Sequence, residues 1–367
     1  MSTNLSKYQN SSYFMGLALQ QAHKSLGNTG TNPSVGCIIV KDNHVISAGF
    51  TGINGRPHAE HNAIILSKKD VKGSELYVTL EPCSHYGKTP PCVNTIIKSG
   101  VKQVFFSSKD PDHRSYNKST ELFKKNKIVA KNGILYLDIR NFYKSYIKYK
   151  ENTLPFVTAK MAVSKDFYTI DKKKKWITNI YSRGRVHLMR SKHDCILTAV
   201  NTIIADNPRL TCRILGLEDK SPSRIILDKS LKIPLSSYVV KSAHKYRTFV
   251  FFNKMNQKKI KILKRFKVKL IQTPLNKDNE FDLKELLTKV RDLGFSRIFL
   301  ETGLKLSSNF LKEDLVNDFN LFVSNKNLKG NGSNSFKKNI RFFFKGKKFN
   351  NEKINLLGDK LISYRLK

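Results

Sequence analysis

The sequence contains no long hydrophobic run. No apolar segment approaches the roughly 20 residues that cross a bilayer, and the polar residues 1–14 lack the apolar segment of a signal peptide. We therefore expect no membrane partner. Cysteine is also scarce, because five cysteines spread over 367 residues cannot build a disulfide framework. Since thiols that stay reduced require a reducing compartment, we expect a cytoplasmic location.

Acidic residues are the third scarce class. The chain has 28 Asp and Glu against 67 Lys and Arg, a formal net charge of +39, which suits nucleic acid or anionic small molecules as partners. Lysine recurs along the whole chain, however, and its densest run, residues 172–175, is short and has no interleaved aromatic residues. A solvated lysine-rich surface is therefore our interpretation, and a nucleic-acid partner is not expected. A phosphorylated substrate would still be attracted.

The length and composition of the chain predict two globular domains. Apolar residues make up 40% of the 367, enough for each half to build its own core. A boundary is predicted at residues 151–155, where a proline opens a new strand. We expect one domain over residues 1–150 and a second over residues 151–367.

The first half contains a set of residues suited to a catalytic zinc ion. His58, Cys83 and Cys92 offer one imidazole and two thiolates, which leaves the fourth position of a tetrahedral zinc open for water. Glu60, two residues beyond the histidine, lies near the metal without having to bind it and can carry a proton. The order His-x-Glu, Pro-Cys, Cys is the signature of zinc deaminases. It predicts hydrolytic removal of a ring amino group.

The neighbouring sequence favours a catalytic site over a structural one. Residues 76–80 read as a buried strand that ends just before Cys83, and helices over 59–68 and 93–99 put the other two ligands at helix N-termini. A structural zinc site would need a fourth ligand. Cys37 lies in the apolar run 35–40, where a core position is the ordinary interpretation. Glu60 would have no role in a structural site.

Alternating strand and helix patterns predict an α/β fold in both halves. In the first half we expect a helix over 12–26, strands over 37–40, 45–50, 103–107 and 127–133, a polar, turn-rich stretch over 110–125 and a helix over 138–149. In the second half we expect strands over 156–163, 195–198, 224–228, 248–252 and 297–300, helices over 183–191 and 283–293, a loop over 327–335, and closing strands from residue 340 and over 361–366.

The spacing of the two cysteines carries a resemblance to a known family. Eight residues, Ser-His-Tyr-Gly-Lys-Thr-Pro-Pro, separate Cys83 from Cys92, and this insert is similar to that of the riboflavin-biosynthesis pyrimidine deaminases. Further similar motifs follow in the second half, at residues 158–164, 176–178, 202–213 and 299–303. Over almost its whole length the chain resembles the bifunctional riboflavin-pathway deaminase/reductases.

This resemblance implies a fold, two cofactors and two reactions. The N-terminal domain would be a cytidine-deaminase-like α/β/α sandwich, and the C-terminal domain a dihydrofolate-reductase-like α/β domain. The first would use Zn²⁺ to deaminate diaminohydroxyphosphoribosylaminopyrimidine hydrolytically. The second would use NADPH to reduce the ribosyl side chain of 5-amino-6-(5-phosphoribosylamino)uracil to ribityl. The substrate would be a phosphorylated pyrimidine.

The resemblance also assigns roles to individual residues. Its deaminase substrate contacts would be Asn32, His85, Lys88 and Asp110. Its contacts to the nicotinamide cofactor would be Val163, Trp176, Thr202, Asp206 and Gly303, and its reductase substrate contacts Arg190, Leu210, Arg213 and Glu301. Two of these, Arg190 and Arg213, are suited to binding a phosphate through paired hydrogen bonds. Glu301 is suited to accepting hydrogen bonds from sugar hydroxyls. Lys160 is expected near the path of the hydride.

Two other functions remain open at this point. The net charge of +39 would suit a nucleic-acid deaminase with a basic binding domain, although the long insert between the cysteines and the ordered second half argue against it. Alternatively, the second domain is catalytically silent, because residues 165–175 depart from the family pattern and are filled with lysine. The number of subunits in any assembly also stays open.

Overall fold

The computed structural model describes residues 2–67, 71–87, 89–151 and 153–367, with side chains from residue 10 onward. The chain divides into two compact units, Met1–Thr153 and Leu154–Lys367. Among the described residues, none of the helices combines the length and the hydropathy that crossing a membrane requires.

The first unit is a mixed sheet flanked by helices. Its described elements are, in order, α1 (Ser2–Ser25), β1 (Gly36–Lys41), β2 (His44–Phe50), α2 (Ala59–Ile65), β3 (Glu75–Leu80), α3 (Cys92–Lys98), β4 (Gln103–Ser108), α4 (Ser119–Lys125), β5 (Val129–Asn132), α5 (Tyr136–Phe142) and α6 (Lys144–Lys150). The strand order is β2-β1-β3-β4-β5. β1 runs antiparallel to β2 and β3, whereas β3, β4 and β5 are parallel.

Close packing of α2 on the sheet positions the first of the predicted metal ligands. Ala59 and Ala63 on α2 are fully buried, and a β-carbon on Gly49 of β2 would collide with their backbone atoms. Small residues on both elements therefore bring the helix directly onto the strand. This contact fixes the start of α2, where His58 and Glu60 lie, against a rigid sheet.

The predicted elements of the first unit are present, with altered bounds. The first helix is much longer than 12–26, and residues 138–149, expected as one helix, fall in α5 and α6, which meet at Tyr143. Residues 110–125, expected to be turns, end in the helix α4. The predicted end of the helix 59–68 lies outside the described residues.

The second unit contains a larger, mostly parallel sheet. Its described elements are β6 (Phe156–Val163), β7 (Tyr168–Asp171), α7 (Ile180–Arg190), β8 (Cys195–Ala199), α8 (Val200–Asp206), β9 (Ser223–Leu227), α9 (Tyr238–Lys241), β10 (Thr248–Phe252), α10 (Gln257–Arg265), β11 (Lys269–Gln272), α11 (Leu283–Asp292), β12 (Arg297–Glu301), α12 (Leu304–Lys312), β13 (Asp318–Val323), β14 (Gly332–Ser335), α13 (Lys337–Phe343), β15 (Phe349–Asn351) and β16 (Lys360–Arg365).

Nine of the described strands pair in the order β11-β10-β9-β8-β12-β6-β13-β16-β15. The first seven are parallel, and β16 and β15 add antiparallel pairs at one edge. One hydrophobic core lies between the sheet and α11 and α12, and a second lies on the face covered by α7, α8, α9 and α10. Buried parallel strands with helices on both faces place ligand sites at the carboxyl ends of the strands.

α11 shows how the sequence produces this packing. Leu283, Leu286, Leu287 and Val290 recur at helical spacing and are all buried against the sheet. The carboxylate of Asp282 accepts a hydrogen bond from the backbone N–H of Glu285 at 2.9 Å and so caps the first turn.

The main correction in the second unit lies near its end. The Phe-rich segment from residue 340, predicted to supply a closing strand, begins inside the helix α13. Phe344, directly after this helix, packs on Phe319 in the core. The closing strand predicted at 361–366 is present as β16. The expected loop 327–335 includes β14, which pairs with β7.

Candidate active sites

His58, Cys83 and Cys92 come together in the first unit. One donor atom from each lies within 4.8 Å of the other two. The distance from His58 Nδ1 is 3.2 Å to Cys92 Sγ and 3.5 Å to Cys83 Sγ. The prediction that these three side chains converge is therefore confirmed.

The geometry of this trio fits a tetrahedral zinc ion. Zn–S bonds of about 2.3 Å and Zn–N bonds of about 2.0 Å would separate the donor atoms by about 3.5 Å. Two thiolates and one imidazole are the soft and borderline donors that zinc accepts. Because three side chains supply three ligands, a fourth coordination position is left for a reactant.

Local structure holds each ligand in place. His58 immediately precedes α2, and Cys92 is the first residue of α3. Cys83 follows the end of β3, and its sulfur accepts a hydrogen bond from the backbone N–H of Cys92 at 3.3 Å. Its carbonyl oxygen accepts from the N–H of Val93 at 3.2 Å. The N-terminal turn of α3 therefore stabilises a negative charge on Cys83.

The ionisation of the cluster follows from burial and from mutual contacts. Hydrogen bonds from Cys92 and His58 lower the pKa of Cys83 to about 4. The same contact with Cys83, together with burial, raises the pKa of Cys92 well above its ordinary value. Burial raises the pKa of Glu60 to about 7, against the opposing attraction of His58. Glu60 is thus a buried carboxyl group beside the ligands, close enough to Cys92 to raise the pKa of that thiol.

Two of the expected substrate contacts lie in loops near the metal ligands. The Asn32 amide donates to the carbonyl oxygen of Asn54 at 3.4 Å. Gly55, with φ of +85°, lies so close that a β-carbon there would collide with the Asn32 side chain. His85 Nδ1 lies 2.8 Å from Ser115 Oγ, and burial lowers its pKa. Lys88 lies outside the described residues.

Asp110 is buried in a hydrogen-bond network. Its Oδ1 accepts from the hydroxyl of Tyr146 at 2.9 Å and from the backbone N–H of Asp112 at 3.0 Å. Burial raises the pKa of Asp110 to about 6. Asp112, which sequence reasoning did not single out, pairs with Arg114 at 2.6 Å and Lys150 at 2.8 Å. These pairs hold the pKa of Asp112 well below its usual range.

Glu81 is a second residue that sequence reasoning left without a role. Its buried carboxylate accepts hydrogen bonds from the backbone N–H groups of Asp110, Asn117 and Ser119 at 3.1 to 3.2 Å, and from the Ser119 hydroxyl at 2.8 Å. It therefore ties the loop after β4 to the end of β3, next to Cys83. The one feature of the sequence that could have indicated this role is the position of Glu81 directly before Pro-Cys.

The second unit contains a cavity of about 800 Å³. It is lined by residues at the carboxyl ends of β8 and β9, by the residues that follow β12, and by the first turns of α8 and α12. The expected cofactor contacts Thr202 and Gly303 both line it, and the space above Gly303 is open. Helix N-termini and strand ends of this kind suit the phosphates of a dinucleotide. The lining residues therefore fit a nicotinamide cofactor.

The other three expected cofactor contacts do not line this cavity. Val163 is fully buried in the hydrophobic core of the second unit. Trp176 is 54% exposed, with the guanidinium of Arg183 5.0 Å from its ring. Asp206 is exposed at the last position of α8. Their cofactor roles stay predictions.

Arg190 and Glu301 form a buried, two-armed ion pair. Arg190 Nε donates to Glu301 Oε2 at 2.9 Å, and Nη2 donates to Oε1 at 2.8 Å. The fork that we had assigned to a phosphate is therefore engaged by Glu301. Lys160 lies beside Glu301 on the neighbouring strand. Burial alone would raise the pKa of Glu301, but Arg190 and Lys160 lower it to about 2.

The two remaining reductase residues lie in different environments. Arg213 is exposed, and its pKa is lowered by partial burial and by Arg190 and Arg209. Its guanidinium is therefore free to meet an anion. Leu210 is 2% exposed and packs into the hydrophobic core beside α7 and α8. Its backbone, with φ of 53°, marks a sharp turn in the chain.

Both halves of the chain match known families. Residues 8–108 match the cytidine and deoxycytidylate deaminase zinc-binding region, and residues 155–340 match the RibD C-terminal domain. The riboflavin biosynthesis protein RibD of Aquifex aeolicus is 34% identical over 353 residues, covering 96% of this chain and 97% of that protein. The RibD protein of Escherichia coli is 29% identical over 327 residues, covering 86% and 87%.

Solved structures agree over nearly the whole chain. A diaminohydroxyphosphoribosylaminopyrimidine deaminase/5-amino-6-(5-phosphoribosylamino)uracil reductase from Thermotoga maritima is 30% identical, with a TM-score of 0.83 and coverage of 98% of this chain and 99% of that one. RibD of Acinetobacter baumannii is 28% identical, with the same TM-score and coverage.

Proposed function

The chain belongs to the RibD family of bifunctional riboflavin biosynthesis proteins, and from that premise we propose how its residues carry out the two reactions. It is an enzyme with a deaminase and a reductase activity, and its two α/β folds are those that the sequence predicted. The deaminase half belongs to a zinc-binding family. We propose Zn²⁺ and NADPH as the two cofactors and assign a role to each site residue.

In the deaminase unit, His58, Cys83 and Cys92 bind zinc and Glu60 moves protons. When bound, zinc supplies the Lewis acidity that makes water a nucleophile near neutral pH. The Glu60 carboxylate accepts a proton from the attacking water and passes it to the ring nitrogen of the pyrimidine, and it then moves a second proton, from the newly added hydroxyl group to the departing ammonia. The observation that carries this proposal is a buried carboxyl group two residues beyond one ligand and in contact with another. Because thiolate ligands need a reducing compartment, we place the enzyme in the cytoplasm.

The substrate of this unit is a diaminopyrimidine that carries a ribose phosphate. Asn32 and Asp110 contact the pyrimidine, and His85 and Lys88 contact its ribose phosphate. The Asn32 amide offers both a donor and an acceptor, as recognition of a ring edge requires. Glu81 is a positioning residue, because it holds the loop that carries Asp110 next to Cys83.

In the reductase unit, NADPH binds in the cavity at the carboxyl ends of the strands. Thr202 and Gly303 lie in its lining, whereas Val163, Trp176 and Asp206 lie outside it and are not needed for this binding mode. The cofactor supplies the hydride, and the protein aligns it with the ribosyl carbon. As the ribosyl carbon is reduced, its bond to the ring oxygen would break and that oxygen would take up a proton from solvent, so the chain contributes binding and orientation.

The substrate of the reductase lies against Glu301 and Lys160. Glu301, held ionised by Arg190, accepts from the sugar hydroxyls, and Lys160 lies at the reacting end. Arg190 acts here as a positioning residue, because both its arms are engaged by Glu301. The exposed Arg213 is then the residue that meets the substrate phosphate, and Leu210 shapes the turn that carries it.

A coupled assay tests both halves at once. The full chain is loaded with zinc and given the phosphorylated diaminopyrimidine, while ammonia release and NADPH oxidation are recorded separately. We expect one of each per turnover. With the deaminated pyrimidine as substrate we expect NADPH oxidation alone. Absence of NADPH oxidation would mean that the second unit is silent, and salt-dependent tRNA binding without turnover of the free pyrimidine would favour a nucleic-acid deaminase.

A further inference from the structure

A single glutamate joins two lysines in the lining of the second unit's cavity. Glu280 Oε2 lies 2.9 Å from Lys229 Nζ, and its Oε1 lies 3.2 Å from Lys305 Nζ. Lys229 follows the end of β9, whereas Lys305 lies in the first turn of α12. All three residues line the cavity. The carboxylate therefore links the loop after β9 to the start of α12.

The turn that presents Glu280 is held by its own hydrogen bonds. Asn276 Oδ1 accepts from the backbone N–H groups of Asp278 and Glu280, both at 3.0 Å, and the Asn276 N–H donates to the Glu280 carbonyl oxygen at 2.7 Å. Phe281 anchors the end of the turn in the core. The position of Glu280 is thus set by the backbone of its own turn, and the side chains of Lys229 and Lys305 extend to its carboxylate.

The cavity lining as a whole holds four acidic residues and three lysines, and it is at Glu280 that two lysines meet one carboxylate. The two lysines keep the pKa of Glu280 below its ordinary value against the opposing effect of burial, so it is ionised at neutral pH. Asp228, another acid of the lining, is buried and accepts from two backbone N–H groups at 2.8 Å each. One carboxylate balances one of the two ammonium groups. The cluster of Lys229, Glu280 and Lys305 therefore carries a net charge of +1.

We infer that Glu280 is a resident counter-ion in a phosphate site, and that a phosphate of the dinucleotide displaces it from Lys229 and Lys305. The inference rests on the proposed function, since it takes the cavity to be the cofactor site. A phosphate carrying two negative charges neutralises both lysines, which a carboxylate cannot do. Glu280 is 40% exposed, and exposed ion pairs contribute little to stability, so the exchange is feasible. Glu280 thus weakens cofactor binding and selects for ligands with a well-placed phosphate.

Isothermal titration calorimetry of the full chain with NADPH tests this inference without any turnover. In Glu280→Gln we expect NADPH to bind about fivefold more tightly than in the parent, the effect of one unit charge some 4 Å away in a water-like medium. In Lys229→Met and Lys305→Met we expect binding to weaken by at least about fivefold for the same reason. Circular dichroism of each variant checks that it folds.

Asp278→Asn is the matched control. Asp278 lies on the same turn, is exposed, and forms no ion pair within the part of the chain that the structure describes. Its substitution removes the same charge without freeing a lysine, so we expect a clearly smaller gain than in Glu280→Gln. If NADPH affinity rose equally in the two variants, the rise would come from long-range electrostatics and not from freed lysines. That result would overturn the inference.

Three fragments identify the phosphate concerned. Adenosine 2′,5′-bisphosphate carries the 2′-phosphate of NADPH, ADP carries a diphosphate, and 5′-AMP carries neither. We expect Glu280→Gln to strengthen binding of the first or of the second and to leave 5′-AMP unchanged. Unchanged binding of NADPH and of both fragments would overturn the inference alone. If the parent binds no NADPH at all, the proposed cofactor site fails together with it.

Discussion

Two buried carboxyl groups of the deaminase unit, Glu60 and Asp110, differ in what surrounds them. Glu60 contacts Cys92 and lies beside His58, so its charge is coupled to the metal ligands. Asp110 is held by Tyr146 and by the backbone of its own loop. Burial raises the pKa of both, but only Glu60 is placed to exchange a proton with a reactant at the metal. The two residues therefore call for different tests.

Glu60→Gln should abolish ammonia release while zinc stays bound. The amide keeps the size of the side chain but cannot carry a proton, and losing a general acid/base typically lowers the rate by about 10²- to 10⁴-fold. Zinc content by elemental analysis and the rate of ammonia release measure the two effects. Glu121→Gln, an exposed position on α4, is the control and should behave as the parent. Deamination at the parent rate by Glu60→Gln would refute its proposed role.

Asp110→Asn should change how the stability of the protein depends on pH. The folded pKa of about 6 lies above 3.8, the ordinary value of an aspartate side chain, so the folded state holds a proton more tightly than the unfolded one. When folding raises the pKa of a carboxyl group, the free energy of unfolding is greatest at pH values below the pKa of the unfolded state. It then falls as the pH rises to the pKa of the folded state. The loss between pH 4 and 6 amounts to about 3 kcal/mol for a shift of two pKa units.

The asparagine can still accept both hydrogen bonds, so the variant should lack this loss and be the more stable protein at pH 7. Free energies of unfolding between pH 4 and 8 measure it, as the difference between variant and parent. Asp138→Asn, an exposed position on α5, should give a profile parallel to that of the parent. Parallel profiles for Asp110→Asn as well would show that Asp110 ionises freely in the folded state.

At the scale of helices and strands, local patterns in the sequence predicted most of the elements near the sites. The strands that end at Leu80 and Glu301 are hydrophobic runs, and their bounds moved by no more than one residue at either end. α10 was not predicted, because lysines occupy most of its surface and only Ile260 and Leu263 are buried. α13 was misread as a strand for the opposite reason, since consecutive aromatic residues mask its helical period.

Contacts between distant residues could not be predicted from local patterns. Arg190 and Glu301 are 111 positions apart, and they meet because β12 pairs between β6 and β8, the strands on either side of α7 in the chain. Sequence reasoning named both residues but gave them separate ligands. The pairing of Glu280 with Lys229, 51 positions earlier, left no local trace either. The convergence of His58, Cys83 and Cys92 was predictable because their identities and short spacings are those of a zinc site.

The N-terminal cap of α7 should matter to the reductase activity as well as to stability. Asn179 Oδ1 accepts from the N–H groups of Tyr181 and Ser182 at 3.0 Å, and its own N–H donates to Asp359 at 2.9 Å. The helix that it caps carries Arg190 at the other end. Asn179→Ala should therefore destabilise the protein by about 1 to 2 kcal/mol and slow NADPH oxidation.

Asn256→Ala is the matched control for this prediction. Asn256 caps α10 through one hydrogen bond to the N–H of Lys259 at 3.1 Å, and α10 carries none of the proposed site residues. It should lose about 1 kcal/mol of stability and keep its reductase rate. Thermal unfolding and NADPH oxidation below the melting range measure the pair. Equal reductase rates in the two variants would mean that the α7 cap does not position Arg190.

At the scale of the whole molecule, the two activities have separate structural foundations. The first unit has its own core around a five-stranded sheet, and the described strands of the second unit pack between two further cores. The proposed zinc ligands and Glu60 all belong to the first unit, and the cavity proposed to bind the dinucleotide is lined by the second. A substitution or metal removal that abolishes activity at one site should therefore leave the fold of the other unit intact.

Removal of zinc should abolish one reaction and spare the other. After treatment with a chelator we expect no ammonia from the diaminopyrimidine, because Glu60 has no activated water from which to accept a proton, but an unchanged rate of NADPH oxidation with the deaminated pyrimidine. The reciprocal variant, Glu301→Gln, should keep ammonia release and lose reduction. Restored ammonia release on addition of zinc excludes irreversible unfolding. If chelation stopped reduction of the deaminated pyrimidine as well, the two sites would not be independent.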